Sequence, residues 1–384
     1  MVNDNLPNTP NARPPENRSQ AYAGKPSRKD LAHWARKLQP LPSPIGDPPY
    51  HYKLETAAPG IEQLASAAGK IVFHTIGDTG PYLMGEYLTG VVKAMAADLA
   101  KPEGERPAFF YHLGDVVYPH GRRADYYEQF YKPYQYYNAP ILSIPGNHDA
   151  DIKEITQQPL EGWCAFFMSK TPHIDSISQD APRLTMSLPN VYYTLDCPYV
   201  TIIGLYTNVP EHGVIDEAQQ QWFIQELSTA PKDKALIVCM HNPIYSFDNQ
   251  HSGSPIMSGI LQDAINQSRR VPNMVLTAHV HNYQRIEKDI TLNQPTPFIV
   301  AGNGGYYLIH PVIAEEGAVD ELTGVKLIRA YHKSHGYMEL TVDALNITGR
   351  VVAVDEATGV AKDFDSFSYA AEARFLKDRE MAKL

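Results

Sequence analysis

Five short apolar runs in this chain each stop at a cluster of polar residues, and that repeated junction limits the fold more than any other feature. Ile71-Val72-Phe73-His74-Thr75-Ile76 runs into Gly77-Asp78-Thr79-Gly80. Ala108 to Leu113 runs into Gly114-Asp115-Val116-Val117-Tyr118, and Pro140 to Ile144 into Pro145-Gly146-Asn147-His148-Asp149. Ala235 to Met240 ends at His241, and Met274 to Thr277 ends at Ala278-His279-Val280-His281. Runs of this length bounded by glycine and proline read as buried strands. Between them, Gly85 to Ala100 and Ala124 to Tyr137 read as helices, so strand, loop and helix alternate as in βαβ units. Open α/β sheets present ligands beyond the carboxyl ends of their strands, where these polar clusters fall.

The remaining segments follow the same reading. Val191 to Leu195 and Tyr199 to Leu205 are expected as a strand pair, Asp216 to Leu227 and Ser258 to Gln267 as helices. Pro297 to Ala301, Tyr337 to Val342 and Ile347 to Val354 are expected as strands. Residues 1–60 form a proline-rich N-terminal extension, with one amphipathic piece around Asp30 to Lys37 that fits a short helix. A catalytic domain is expected over 61–365. Within it, the stretch 150–190 breaks the rhythm with Trp163, Phe166 and Phe167 and reads as an insertion, a lid or specificity loop over His148. A helix is expected to close the chain over 366–384, from about Tyr369.

Charge and cysteine content narrow the function. The chain of 384 residues carries 33 Lys and Arg against 43 Asp and Glu, a formal net charge of −10. That disfavours nucleic acid and anionic membranes as partners. It leaves a small phosphorylated substrate open, because bound cations would dominate the local field. Three cysteines do not make a disulfide scaffold, and no apolar run is long enough to span a bilayer. No basic leader followed by an apolar stretch is visible, which predicts a cytoplasmic location, with export to a periplasm or the exterior as the alternative.

The polar clusters supply Asp78, Asp115, Tyr118, Asn147, His148, His241, His279 and His281. Carboxylate, imidazole, amide oxygen and phenolate together suit iron, manganese or zinc. Singly, each has a plain structural reading: Gly-Asp after a strand is a common turn, and tyrosine is a common packing residue. Jointly they resemble the five motifs of the purple acid phosphatases, within the calcineurin-like metallophosphoesterases. The family pattern is Gly-Asp-x-Gly, Gly-Asp-x-x-Tyr, Gly-Asn-His-Asp/Glu, Val-x-x-His and Gly-His-x-His. The last appears here with Ala278 in place of glycine. The resemblance covers about residues 70 to 350.

The resemblance implies a four-layer αββα sandwich of two mixed β-sheets flanked by helices, an α/β fold. It implies two metal ions: Fe(III) held by Asp78, Asp115, Tyr118 and His281, and Fe(II), Zn(II) or Mn(II) held by Asp115, Asn147, His241 and His279. It implies acid phosphatase activity, the hydrolysis of phosphomonoesters by a metal-bound hydroxide, with His148 as proton donor and Asp149 orienting it. His251, ten residues after His241, resembles an outer-pocket histidine of the family and is a second catalytic candidate. Many relatives place a histidine ligand where this chain has Gly80, so Tyr118 is the expected replacement. A phosphodiesterase on the same centre, and a metal-binding module without catalysis, remain as alternatives. His120, Arg122, Arg123 and His212 lie near these motifs and are expected to have no role in the chemistry.

Overall fold

The computed structural model describes residues 38–81, 86–152, 157–291, 294–378 and 380–384. The chain enters through β1 (His51–Lys53), α1 (Leu54–Ala57) and α2 (Ile61–Ala68). Next come β2 (Lys70–Ile76), α3 (Glu86–Asp98), β3 (Phe109–His112) and β4 (Ile141–Ser143). Two short helices, α4 (Asn147–Ala150) and α5 (Glu161–Phe167), precede a hairpin of β5 (Tyr193–Asp196) and β6 (Val200–Gly204). The middle continues with α6 (Glu217–Thr229), β7 (Ala235–Cys239), α7 (Pro255–Ser268), β8 (Arg270–Val271) and β9 (Met274–Thr277). Seven strands finish the chain: β10 (Tyr283–Thr291), β11 (Gln294–Ala301), β12 (Lys326–Tyr331), β13 (Gly336–Asp343), β14 (Asn346–Val354), β15 (Ala361–Ala370) and β16 (Arg374–Phe375).

Two large mixed sheets result, one in the order β1-β5-β6-β7-β9-β11-β10-β12 and one in the order β15-β14-β13-β2-β3-β4. The parallel run β6-β7-β9-β11 sits at the centre of the first sheet, and the parallel run β2-β3-β4 forms one side of the second, with β4 at its edge. Side chains of a strand alternate between faces, and β7 shows where each face goes. Ile237 and Cys239 join the core between the sheets with Phe73, Tyr111 and Leu142. Leu236 and Val238 join a second core under α6 and α7 with Phe223, Leu227, Met257 and Leu261. On the far side, α3 packs on β13 and β14. The layers therefore run α, β, β, α, and burial on both faces explains the unbroken apolar runs.

Helix boundaries follow from capping. The Asp216 side chain accepts the Gln219 N–H at 2.8 Å before α6. Ser254 Oγ accepts the Met257 N–H at 3.0 Å before α7, with Pro255 in its first turn.

Three expectations change here, and a fourth falls outside the described residues. The domain begins upstream of residue 61, because β1 pairs in parallel with β5 and the Ile45 and Gly46 N–H groups donate to the Pro189 carbonyl. The short helix expected at 30–37 lies outside the described residues. The expected helix at 124–137 is a broken one, with a 3-10 turn at Arg123–Asp125 and a π turn at Tyr127–Tyr131. The aromatic residues of the expected lid are core: Trp163, Phe166 and Phe167 are buried, and the Trp163 indole N–H donates to Ser143 Oγ on β4 at 3.2 Å. Burying these large rings under the six-stranded sheet is worth more than exposing them over a site.

At the carboxyl end the expected helix over 366–384 is replaced by β15 and β16 among the described residues, so the expected boundary at 365 falls inside a strand. The stretch after Ala370 has helical composition, but long-range partners hold it extended. Arg374 is buried and donates to Thr296 Oγ1 at 2.8 Å and Thr291 Oγ1 at 2.9 Å. The Ala382 N–H donates to Asn266 Oδ1 at 2.7 Å. Such anchors override propensity differences of a few tenths of a kcal/mol per residue.

The packing of α5 generates a stability prediction. Trp163→Ala should lower the free energy of unfolding by about 3–5 kcal/mol. Tyr136→Ala, at a ring that is 75% exposed, should change it by less than about 0.5 kcal/mol. Urea titration of the two variants checks both, and equal stabilities would return the insertion to a peripheral role.

Candidate metal centre

The loops after β2, β3, β4, β7 and β9 meet at one rim, and backbone hydrogen bonds knit them. The Asp78 N–H donates to the Gly114 carbonyl, the Gly77 N–H to Ala301 and the Ala278 N–H to His241. Three of the expected site residues, Asp78, Asp115 and His279, have φ of +55°, +56° and +65°. A non-glycine residue in this region costs about 1–3 kcal/mol and marks a geometry held in place by its surroundings. Gly146 is required by contact: a Cβ there would lie 2.1 Å from Asp115 Oδ1.

Asp149 supplies much of that hold. Its buried carboxylate accepts the N–H groups of Gly146 (2.8 Å), Asp115 (2.9 Å), Val116 (3.0 Å) and Val117 (3.3 Å). It therefore shapes the Asp115 loop and does not bond to the His148 ring, contrary to the expected orienting role. Burial, reinforced by the charge of Asp115, pushes its carboxyl up to about 7.

Five of the expected ligands converge. His241 Nε2 lies 3.3 Å from Asp115 Oδ2 and 3.9 Å from Asp78 Oδ1. The Tyr118 hydroxyl donates to Asp78 Oδ1 at 2.9 Å, and His281 Nε2 lies 3.5 Å from the same oxygen. Rear hydrogen bonds aim the imidazoles: His241 Nδ1–H donates to the Leu113 carbonyl at 2.9 Å and His281 Nδ1–H to the Leu308 carbonyl at 3.0 Å. Such partners fix ring orientation in metal sites. Asn147 and His279 adjoin this group, paired with each other at 3.0 Å between Oδ1 and Nδ1.

Gly80 explains how Tyr118 reaches inward. A Cβ at residue 80 would stand 2.6 Å from Tyr118 Cδ2, so the absent side chain is the space the ring occupies. Ala278 is accommodated as well, because the positive φ falls on His279 and not on it.

The electrostatics suit a cation. Burial raises the Asp115 carboxyl, but His241, His148 and His279 outweigh it and hold the group below the usual carboxylate range. Burial lowers His241, yet Asp115 and Asp78 bring it up to about 9. Burial carries His279 down to about 4 and Tyr118 well above its ordinary range. Asp115 Oδ2, His241 Nε2 and His279 Nε2 are buried without a hydrogen-bond partner. Donor atoms of Asp78, Asp115 and His241 all lie within 4.8 Å of one another. Unpartnered buried polar atoms are costly, and a cation beside them would supply the missing partner.

The other expected residues are placed at the rim or outside it. His148 sits against the Tyr118 ring at 4.5 Å, its backbone N–H donating to Asp115 Oδ1 at 2.8 Å and its Nδ1–H to the Pro119 carbonyl at 2.8 Å. The His251 ring lies 4.7 Å from the His279 ring, tilted 53° to it. His120, Arg122 and Arg123 pair with Asp151, Asp125 and Asp175. The sequence reading missed Glu211, in the loop after β6, and Tyr306 and His310, in the loop after β11. Tyr306 lies 4.3 Å from Tyr118 and His310 lies 4.6 Å from His281. The signal was present: both loops follow strands parallel to β7 and β9, so the rule used for the five runs applies to them too.

The sequence profile of the calcineurin-like phosphoesterase family matches residues 72–283, more than half of the chain, and the chain belongs to that family. Purple acid phosphatase 21 of Arabidopsis thaliana is 28% identical over 179 residues, 43% of this chain. The chain spans 36% of that relative's length. The fold is similar to purple acid phosphatase PPD1 from yellow lupin, Lupinus luteus (TM-score 0.57, 18% identity, 79% of this chain and 54% of that one). It is also similar to GAP50, the anchor in the inner membrane complex of Plasmodium (TM-score 0.56, 14% identity, 79% and 90%). PhoD gives a TM-score of 0.51 at 13% identity over 89% of this chain and 74% of that one. The expected four-layer sandwich and family resemblance are borne out. No helix among the described residues is long and apolar enough to cross a membrane.

The Asp149 geometry yields a prediction. Asp149→Ala orphans backbone N–H groups that each cost about 1–3 kcal/mol when buried and unpaired. The variant should lose more than about 3 kcal/mol of stability in chemical denaturation and bind less metal by elemental analysis. Wild-type values for both would deny it the supporting role.

Proposed function

We propose that this chain hydrolyses phosphoesters, with small phosphomonoesters as its substrates, at a binuclear metal centre. The observation that carries the reading is the set of buried, unpartnered donor atoms on Asp115, His241 and His279. Asp78, Asp115, Tyr118 and His281 hold the first ion, and Asp115, Asn147, His241 and His279 the second, with Asp115 shared. Two ions in such a site supply Lewis acidity and lower the pKa of water toward neutrality.

The chain's own groups do the rest. The His148 backbone N–H fixes one oxygen of Asp115, leaving the other, Oδ2, directed at His241. With Nδ1–H committed to Pro119, the His148 imidazolium carries its second proton on Nε2 and delivers that proton to the leaving oxygen, ending as the neutral Nδ1–H ring. The Tyr118 ring backs that imidazole.

Turnover of an aryl phosphate and a bis(aryl) phosphate by metal-loaded protein tests the reading. Monoester turnover should exceed diester turnover. Asp115→Asn should lose an ion and nearly all activity. His148→Ala should keep both ions and slow by roughly 10²–10⁴-fold, the range of a lost acid–base group. The monoester assignment falls if the diester is preferred, and the proton-donor role falls if His148→Ala loses metal.

We also assign Fe(III) to the first position, since a phenolate ligand needs a strongly acidic ion. Iron-loaded protein should then be pink to violet, and Tyr118→Phe should remove the visible band while keeping the fold. An Fe(III)-containing wild-type protein with no such band would remove Tyr118 from the ligand set.

A further inference from the structure

Glu211 lies outside all five motif stretches, on the loop between β6 and α6, yet its carboxylate reaches the rim of the metal centre. Its Oε1 accepts from His251 Nδ1 and lies 3.8 Å from His279 Nε2. The His279 ring has its other nitrogen committed, because Nδ1–H donates to Asn147 Oδ1. In the neutral ring Nε2 carries a lone pair, and it is buried with no hydrogen-bond partner. A neutral imidazole nitrogen and a carboxylate oxygen thus face each other at 3.8 Å, and a cation beside them would satisfy both.

The loops that carry these side chains are fixed to the residues beside expected ligands. The Asn242 side-chain N–H donates to the Glu211 carbonyl at 3.0 Å, and Thr207 Oγ1–H to Asn242 Oδ1 at 2.7 Å. Asn242 directly follows His241. The His251 N–H donates to Asp248 Oδ1 at 2.8 Å, and Asp248 Oδ2 accepts from Asn282, which directly follows His281. Both groups are thereby held in register with the centre, although the Glu211 side chain is 49% exposed. Donor atoms of Glu211, His251 and His279 lie within 4.8 Å of one another.

We propose that Glu211 is a ligand of the second cation, entering from outside the motif set, with His251 beside it in the same shell. One carboxylate with two imidazoles is a donor set for a borderline divalent ion such as Zn(II) or Mn(II). The proposal rests on the binuclear reading above. It gives the second position an anionic ligand of its own, in addition to the oxygen it shares through Asp115.

Calorimetric titration of the metal-free full chain with Zn(II), and separately with Mn(II), tests it. Wild type should bind two ions. Glu211→Gln keeps the shape of the side chain and removes the charge; it should weaken one binding event by at least about tenfold and leave the other unchanged, the lower end of the effect of lost metal-site groups. His251→Gln should weaken the same event. Wild-type isotherms for Glu211→Gln overturn the inference, and the binuclear reading survives if Asp115→Asn has lost an ion in the same assay. A wild-type chain that binds no ion overturns both.

Discussion

The carboxylate of Asp149 is the contact on which the site most depends. It stands beneath two loops and accepts N–H groups from both, Gly146 from one and Asp115, Val116 and Val117 from the other. Those donors are neighbours of the residues with positive φ and of the close approach at Gly146. Remove the acceptor and the backbone loses the reason to keep Asp115 strained. The geometry of the Asp115 loop is thus set by a carboxylate that bonds to its backbone.

A comparison within the molecule shows why donor type alone does not define a metal site. His74, Asp98 and Glu339 also bring metal-type atoms within 4.8 Å. There the chain supplies its own cations: Arg350 reaches Asp98 at 2.6 Å and Lys101 reaches Glu339 at 2.7 Å. The Tyr337 hydroxyl donates to Asp98 as well. Every charge is answered internally, and the cluster ties α3 to β13 and β14. Around Asp115 the answering groups are histidines, and buried atoms remain without partners. The difference between the clusters lies in what completes them.

Much of this was legible in the residues. The strand ends at Ile76, Leu113 and Ile144 announced themselves because buried parallel strands are apolar on both faces and glycine stops them. Asp78, Asp115, Tyr118, Asn147, His241, His279 and His281 could be singled out because each follows a strand end, and the family resemblance implied their division into two sets. What failed to read was decided by distant partners. Nothing local in Trp163 distinguishes a ring over a cleft from a ring under a sheet; Ser143 does, twenty residues away. The Ala-rich stretch after Ala370 follows local propensity toward helix until Arg374 finds Thr291 and Thr296. Glu211 went unseen because its loop carries no motif, only the right position after a parallel strand.

The contact between Gly80 and Tyr118 has a consequence for how such a centre can change. The two positions share one volume, so a side chain at 80 and an inward phenol at 118 exclude each other. Adding a side chain at 80 alone expels the ring, and shortening residue 118 alone leaves a hollow beside Asp78. Each single step passes through a damaged site, and the joint exchange must also move the Gln129 amide, whose Oε1 would stand 2.7 Å from a Cβ at residue 80. The space beside Asp78 is therefore held jointly by residues 80, 118 and 129, and a designer who wishes to alter it must rewrite them together.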